Sequence, residues 1–479
     1  MLIRGAAITA TGSATDAWEP ADVRISAGRV REVARTLDIL PGESVLEARG
    51  GALLPALHDH HIHLFALAAA MESVDCGPPN VNSPEALAAA IQRTSADWVR
   101  GVGYHESVAG ELDRHALDRL APGRRVRIQH RTGAAWILSS SALTSLGIDA
   151  DARDLPDGVE RGRGGQPTGR LFRLDDWLRQ RLPPRERPSL EAAGRVLARG
   201  GVASVTDATP TNDASTMQAL ERARVAGELR QQVVLMGGPT LPFRTTGPFV
   251  RGAVKIILDE RALPAPEALA ERIEHAHRQR RAVAIHCVTR TELVLALSAL
   301  ESAGAEPTDR LEHASITPPE LAEWIGRLGV CVVTQPGFIL ERGDQYLRDV
   351  PVGEQDWLYR CGGLDRAAIP VGAGTDAPYS SPDPWRAIRA AVDRRTAKGR
   401  RLGAAEAMTP ERALALFTTP HQSPGGRPRR VAIGEPADLM LLDQPWARAR
   451  EHLERECVAA TLAGGAALWS RGPEPPEPA

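Results

Sequence analysis

A series of short apolar runs, each ending at or just before a polar side chain capable of chemistry, constrains this chain more than any other feature. The runs are Ala52 to Leu57 before His61, Val202 to Val205 before Asp207, Gln232 to Met236, Ala253 to Leu258, Ala282 to His286, Arg310 to His313, Val330 to Thr334 and Ile369 to Asp376. Helical stretches lie between them, among them Pro266 to Arg278 and Thr291 to Ala303, the second carrying Leu293, Leu297 and Leu300 at helical spacing. Strands alternating with helices predict an α/β fold with a parallel sheet. In (β/α)₈ barrels functional side chains sit where strands end, and these runs end that way. The expected architecture is therefore a distorted (β/α)₈ barrel.

Strand-like segments flank this middle. Met1 to Thr9, Asp22 to Ser26 and Arg29 to Val33 open the chain, with Ala27-Gly28 as a tight turn. Asp438 to Leu442, Cys457 to Leu462 and Ala466 to Trp469 close it, the last after Gly464-Gly465. They predict a small β-sandwich built from residues 1–53 with 425–479, beside a catalytic barrel over 54–424. The stretch from about 65 to 188 is too long for one βα unit and is read as an inserted subdomain covering the active site. The closing RGPEPPEPA is Pro- and Glu-rich and is expected to fray. A chain of 479 residues has room for a large barrel and an accessory domain.

Charge and composition exclude several classes. A formal net charge of −2 gives no basic field for nucleic acid or an anionic membrane surface. Apolar runs such as Ala66 to Ala70 and Leu293 to Leu300 are far too short to span a bilayer, and the first residues lack the apolar stretch of a secretory signal. Cys76, Cys287, Cys331, Cys361 and Cys457 are scattered with no CxxC spacing, which reads as reduced thiols in a cytoplasmic protein. The expected partner is a small-molecule substrate, with no nucleic acid and no membrane; a homodimer is left open.

The densest chemistry is in Pro55-Ala-Leu-His58-Asp59-His60-His61-Ile62-His63. His61 and His63 are two apart, so on a strand both imidazoles project to the same face, which suits two nitrogen ligands on one metal. A bare HxH is as often a polar loop. Further metal-capable groups at the ends of successive predicted strands shift the balance: His286 ends AVAIH, His313 ends RLEH and Asp376 follows VGAGT.

On these residues the chain resembles the amidohydrolase superfamily, and within it amidohydrolase family 3, a branch of amide-cleaving enzymes that includes formamide deformylases. The resemblance runs through LPALHDHHIHL, VRIQHRTGAAWILSSSALTSLGI, GGQPTGRLF, GVASVTDAT, AVKIILDE, RLEHASI, VGAGTDAPYSSPDPWRAI and GEPADLMLLDQ. It implies that His61, His63 and Asp376 hold one metal and that His286 and His313 hold a second or complete a single site. Zinc fits such ligands, with one or two ions per chain, and iron, manganese or cobalt would be tolerated. Asp376 would be the catalytic acid–base.

Lys255 stands out against composition: of 58 Lys and Arg residues only Lys255 and Lys398 are lysines, and Lys255 lies inside the strand AVKIILDE. Arginine stays protonated, whereas a buried lysine can lose its proton and become a nucleophilic amine. In binuclear relatives a lysine on this strand is carboxylated and bridges both metals, and the resemblance implies that role for Lys255. Departures from the branch cluster at His286-Cys-Val-Thr-Arg290, at Tyr104-His105-Glu106 and at Gly133, with His130-Arg131 upstream. Tyr104, His105, His130, Arg131, Arg290 and Gln335 are therefore substrate-pocket candidates. The expected reaction is hydrolysis of a C–N bond in an amide, carbamate, urea or cyclic amide. A mononuclear heterocycle deaminase and a metal-binding protein without catalysis are the rivals.

Overall fold

A computed structural model describes residues 1–9, 17–78, 80–148, 155–183, 187–242 and 249–472. The tail expected to fray lies outside the described residues from 473 onward. The chain divides into two compact units, Met1–Leu64 with Ser189–Ala479, and Phe65–Pro188.

In the first unit eight parallel strands form one sheet, each neighbouring the next in chain order. They are β1 (Leu57–Ile62), β2 (Val202–Asp207), β3 (Gln232–Gly237), β4 (Phe249–Ile257), β5 (Val283–Cys287), β6 (Arg310–His313), β7 (Cys331–Thr334) and β8 (Val371–Ala373). The end of β8 returns beside β1, where Asp376 N donates to His61 O at 2.7 Å and His63 N donates to Ala377 O at 2.9 Å. The sheet is thus nearly closed into a barrel, with helices between its strands. The helix Arg290–Ala303 shows why these segments start where they do. The Thr289 hydroxyl accepts from Glu292 N, and the Glu292 carboxylate accepts from Thr289 N, so two end donors are satisfied reciprocally. Leu293, Leu297 and Leu300 are buried on its inner face, as their spacing predicts.

The apolar run expected to open the barrel, Ala52 to Leu57, divides between two sheets. Leu53–Pro55 pairs antiparallel with Leu439–Leu442, and the barrel strand is β1, which carries the polar LHDHHI. Apolarity is a poor guide here because buried polar groups are tolerated once each has a partner. His58 lies between Ser204 Oγ at 2.7 Å and Thr206 Oγ1 at 2.8 Å, and His60 Nε2 meets Thr419 Oγ1 at 2.9 Å. The Asp59 carboxylate accepts from His61 N and from the Thr375 amide and hydroxyl. Alternation along β1 puts His58 and His60 on one face and Asp59 and His61 on the other.

Two four-stranded sheets complete this unit. One orders Arg29–Ala34, Trp18–Ser26, Leu2–Thr9 and Val45–Glu47; the other orders Ala466–Ser470, Val458–Ala463, Leu439–Leu442 and Leu53–Pro55. Ile3, Val23 and Ile25 from the first and Leu439, Leu441 and Leu462 from the second share one core. The Ala27-Gly28 turn has φ of 50° and 72°, a left-handed pair that matches the twist of a tight hairpin.

The second unit holds a six-stranded sheet in the order Val159–Arg161, Pro167–Phe172, Ala135–Leu138, Arg125–His130, Trp98–Tyr104 and Val74–Asp75. Ile137 enters one core with Leu87, Val126 and Ile128, while its neighbours Trp136 and Leu138 enter another with Leu143 and Leu171. That is the two-residue period of a sheet covered on both faces.

The close of the barrel rests on a small residue. A Cβ at Gly374 would lie 2.5 Å from both the backbone N and the Cβ of His61. Gly374→Ala must push β8 and β1 apart, and should cost about 1–3 kcal/mol. Thermal unfolding of the metal-free variant would check this: a Tm equal to that of the wild type would mean that the seam tolerates separation.

Candidate metal centre

The C-terminal ends of β1, β4, β5, β6 and β8 bring together the groups that the sequence scatters over more than 300 positions. His61, His63 and Asp376 offer donor atoms that all lie within 4.8 Å of one another. His63 Nε2 is 3.1 Å and His61 Nε2 3.5 Å from Asp376 Oδ1. Donors around a tetrahedral zinc, each at about 2.0–2.2 Å, are roughly 3.3–3.5 Å apart, so the spacing fits one ion. The His61 and His313 ring centroids are 4.9 Å apart, and those of His286 and His313 are 4.5 Å apart. Lys255 from β4 is buried among these groups, with Glu312, Asp376 and Cys287 acting on it electrostatically. Two polar atoms in this cluster are buried with no hydrogen-bond partner, Lys255 Nζ and Asp376 Oδ1. Orphaned buried atoms of this kind are rare, and a bound cation or a covalent modification would give each of these a partner. Imidazole nitrogens and carboxylate oxygen are also the donors that zinc and its neighbours accept.

Behind the nitrogens that face the centre, three histidines are held by their other nitrogen. His61 Nδ1 donates to Glu312 Oε2. His313 Nδ1 donates to Gln335 Oε1 at 2.6 Å, and Gln335 Nε2 donates to Val333 O at 3.3 Å, which fixes the amide's orientation. His63 Nδ1 meets Thr209 Oγ1 at 2.9 Å. The ring of Tyr379, three residues beyond Asp376, lies edge-on to His63 with centroids 5.5 Å apart. Strand alternation alone would not aim all the candidate ligands inward. His313 has φ of 68° and Asp376 φ of 58°, left-handed conformations that non-glycine residues adopt only when their surroundings enforce them.

Burial dominates the electrostatics. It lowers His61 to about 3, and Lys255 adds to that effect. It lowers His313 and drives His286 well below the ordinary value, with His313 and Lys255 reinforcing the latter. These imidazoles are therefore neutral and able to donate lone pairs. Burial pushes Glu312 upward, but Arg310, Lys255 and His61 outweigh it and hold the carboxylate ionised. The same opposition, with His61 and His63 prevailing, keeps Asp376 ionised. Burial lowers Lys255 from the usual lysine range while Glu312 resists.

The other candidates from the sequence are placed as follows. Gln335 is fully buried behind His313. Arg290 points outward, paired with Glu354 at 2.8 Å and lying over the Trp357 ring. Tyr104, His105, His130 and Arg131 belong to the second unit. Tyr104 is buried there and donates to Gly110 O at 2.6 Å; the His105 side chain accepts from Ser107 N at 3.1 Å; His130 Nε2 lies 3.3 Å from the Glu106 carboxylate; and Arg131 N donates to Tyr104 O at 2.9 Å. Glu312, Asp59, Thr209 and Tyr379 were not singled out in the sequence. Glu312 stands next to His313 in RLEH; it reaches His61 from within the barrel, while His313 turns to the centre through a left-handed residue. A cavity of about 770 Å³ lies at the other end of the barrel, lined by His58, Ser204, Gln232 and His421, and touches none of the ligands.

The amidohydrolase family model matches residues 44–468. The chain belongs to the amidohydrolase family. Members are hydrolases of carbon–nitrogen bonds, and this amidohydrolase is an enzyme of that class. It is 26% identical to the N-substituted formamide deformylase of Arthrobacter pascens, over 94% of this chain and 95% of that one. It is 24% identical to the putative amidohydrolase YtcJ of Bacillus subtilis (strain 168), over 79% and 80%. An uncharacterized metal-dependent hydrolase from Pyrococcus horikoshii OT3 superposes with a TM-score of 0.73 at 21% identity, over 92% of this chain and 97% of that one. Among the described residues no helix is long and apolar enough to cross a membrane.

The buried histidines make a prediction about pH. His58, His60, His61, His286 and His313 all have lowered values in the folded protein, His61 at about 3 against an ordinary 6.5. Between those limits the unfolded chain binds more protons than the folded one, so stability falls as pH falls through that window. The metal-free enzyme should lose roughly 1 kcal/mol per pH unit for each such histidine below about pH 6.5. Denaturant melts from pH 7.5 to 5 measure this, and a midpoint that does not move would contradict the neutral state of these rings.

Proposed function

We propose that this amidohydrolase cleaves the C–N bond of a small amide, carbamate, urea or cyclic amide with the help of divalent metal, zinc being the best fit. The observation that carries the reading is the convergence of His61, His63 and Asp376 beside two buried atoms left without partners, Asp376 Oδ1 and Lys255 Nζ. The resemblance to a formamide deformylase over almost the whole chain supports an amide as the substrate class.

His61, His63 and Asp376 would hold one ion, and His286, His313 and Lys255 would hold a second. When bound, the metal lowers the pKa of a water molecule and polarises the substrate carbonyl. Asp376, ionised at the mouth of β8, accepts the proton that the attacking water loses. It then hands that proton to the nitrogen as the C–N bond breaks, so that amide and water leave as acid and amine. The neutral imidazoles donate lone pairs rather than compete with the metal as cations. Burial lowers the pKa of Lys255 and favours its neutral amine, the form that adds CO₂ and releases a proton to become a carbamate. That carbamate would place one anion between two cations.

Metal analysis with a substrate panel tests this reading. The purified enzyme should carry one to two divalent ions per chain and lose its amide hydrolysis on chelation; full activity without metal would overturn the proposal. Asp376→Asn keeps the shape of the group but cannot take the proton, and kcat should fall by roughly 10²–10⁴-fold. Lys255→Arg should lose one ion and most activity, while Lys255→Ala should regain part of it with added acetate. An unmodified Lys255 beside a single ion in a crystal structure would favour the mononuclear, deaminase-like reading instead.

A further inference from the structure

Strand β6 carries a buried ion pair that reaches across to β1. Arg310 Nε donates to Glu312 Oε1 at 2.5 Å, Arg310 Nη2 donates to His60 O at 2.6 Å, and Glu312 Oε2 takes the proton of His61 Nδ1. Glu312 is fully buried and Arg310 is 4% exposed. Buried ion pairs contribute little to stability, because desolvation offsets the attraction between the charges. Well-packed apolar residues would serve the core as well. The pair does have one directional consequence. With Nδ1 committed to a carboxylate, His61 can present only a lone pair from Nε2, toward Asp376 Oδ1 at 3.5 Å.

The three oriented histidines differ in what stands behind them. His61 has an ionised carboxylate, His313 a neutral amide oxygen and His63 a hydroxyl. A carboxylate draws the Nδ1 proton more strongly than either neutral group and raises the basicity of Nε2. Arg310 anchors the carboxylate, and its second bond, to the carbonyl of His60 in β1, ties the pair to the strand that carries His61.

We infer that Glu312, braced by Arg310, is a positioning residue that fixes the His61 tautomer and sets how tightly the centre holds its metal. The inference rests on the reading of His61 as a metal ligand. It makes His61 the strongest imidazole ligand, with Glu312 contributing more to affinity than Gln335 or Thr209.

The test is zinc affinity of the metal-stripped full-length enzyme, measured by competition with a chromogenic chelator, together with the Tm of each metal-free form. Glu312→Gln keeps size and an acceptor oxygen but removes the charge, and should weaken zinc binding 10–100-fold. Because it strands the Arg310 cation, the double variant Arg310→Met with Glu312→Gln is the companion: it should keep a Tm near that of the wild type and still bind zinc 10–100-fold more weakly. Thr209→Val should change affinity less than either. If both Glu312 variants bind zinc within threefold of the wild type, or if Thr209→Val loses more affinity than they do, the inference is overturned. His61→Ala separates the two levels. Wild-type affinity in His61→Ala would sink the metal-ligand reading itself, whereas weak binding there with normal binding in both Glu312 variants would sink only the role of Glu312.

Discussion

The centre depends on one seam, where β8 comes back against β1. The backbone bonds from Asp376 N to His61 O and from His63 N to Ala377 O bring the first and last barrel strands into register. The Asp59 carboxylate locks the same seam from within, accepting from His61 N and from both donors of Thr375. Gly374 permits the approach because any side chain there would collide with His61. Three of the candidate ligands lie within three positions of these bonds. The same contacts that close the fold therefore set the distances between His61, His63 and Asp376.

The centre is electrostatically self-contained. Lys255 and Arg310 face Glu312 and Asp376, and all four are buried. Isolated charges would be intolerable there, but each is compensated by a neighbour of opposite sign, or would be by a metal or a modification. That balance explains how a strand as polar as β1 can occupy the interior of a barrel. Lys255 stands apart in the same way: arginine supplies almost every other positive charge of the chain, and this buried amine lies among Glu312, Asp376 and Arg310.

The segment after β5, where the sequence departs from the branch it resembles, has a structural role at its helix. Thr289 and Glu292 form the capping box, and Arg290, displayed outward, pairs with Glu354. A substrate-pocket candidate of the sequence thus engages a carboxylate of its own chain. Gln335 accepts from His313 Nδ1 and so orients that ring.

Periodicity and local chemistry in the sequence determined the barrel, the paired strands at both ends and the placing of His61 and His63 on one face at the end of a barrel strand. These are short-range properties: alternation on a strand puts His61 and His63 on one face, and spacing of leucines makes a helix. What only the tertiary structure decided was which groups stand behind those ligands. Glu312 reaches His61 from a strand 251 positions away in the chain, and no local pattern encodes that meeting. Nor could alternation foretell His313 or Asp376, because each reaches the centre through a left-handed backbone turn at the end of its strand. The polar strand β1 shows the limit most clearly: its burial follows from partners on β2, β6 and the segment after β8, so it becomes readable as core only once those partners are in place.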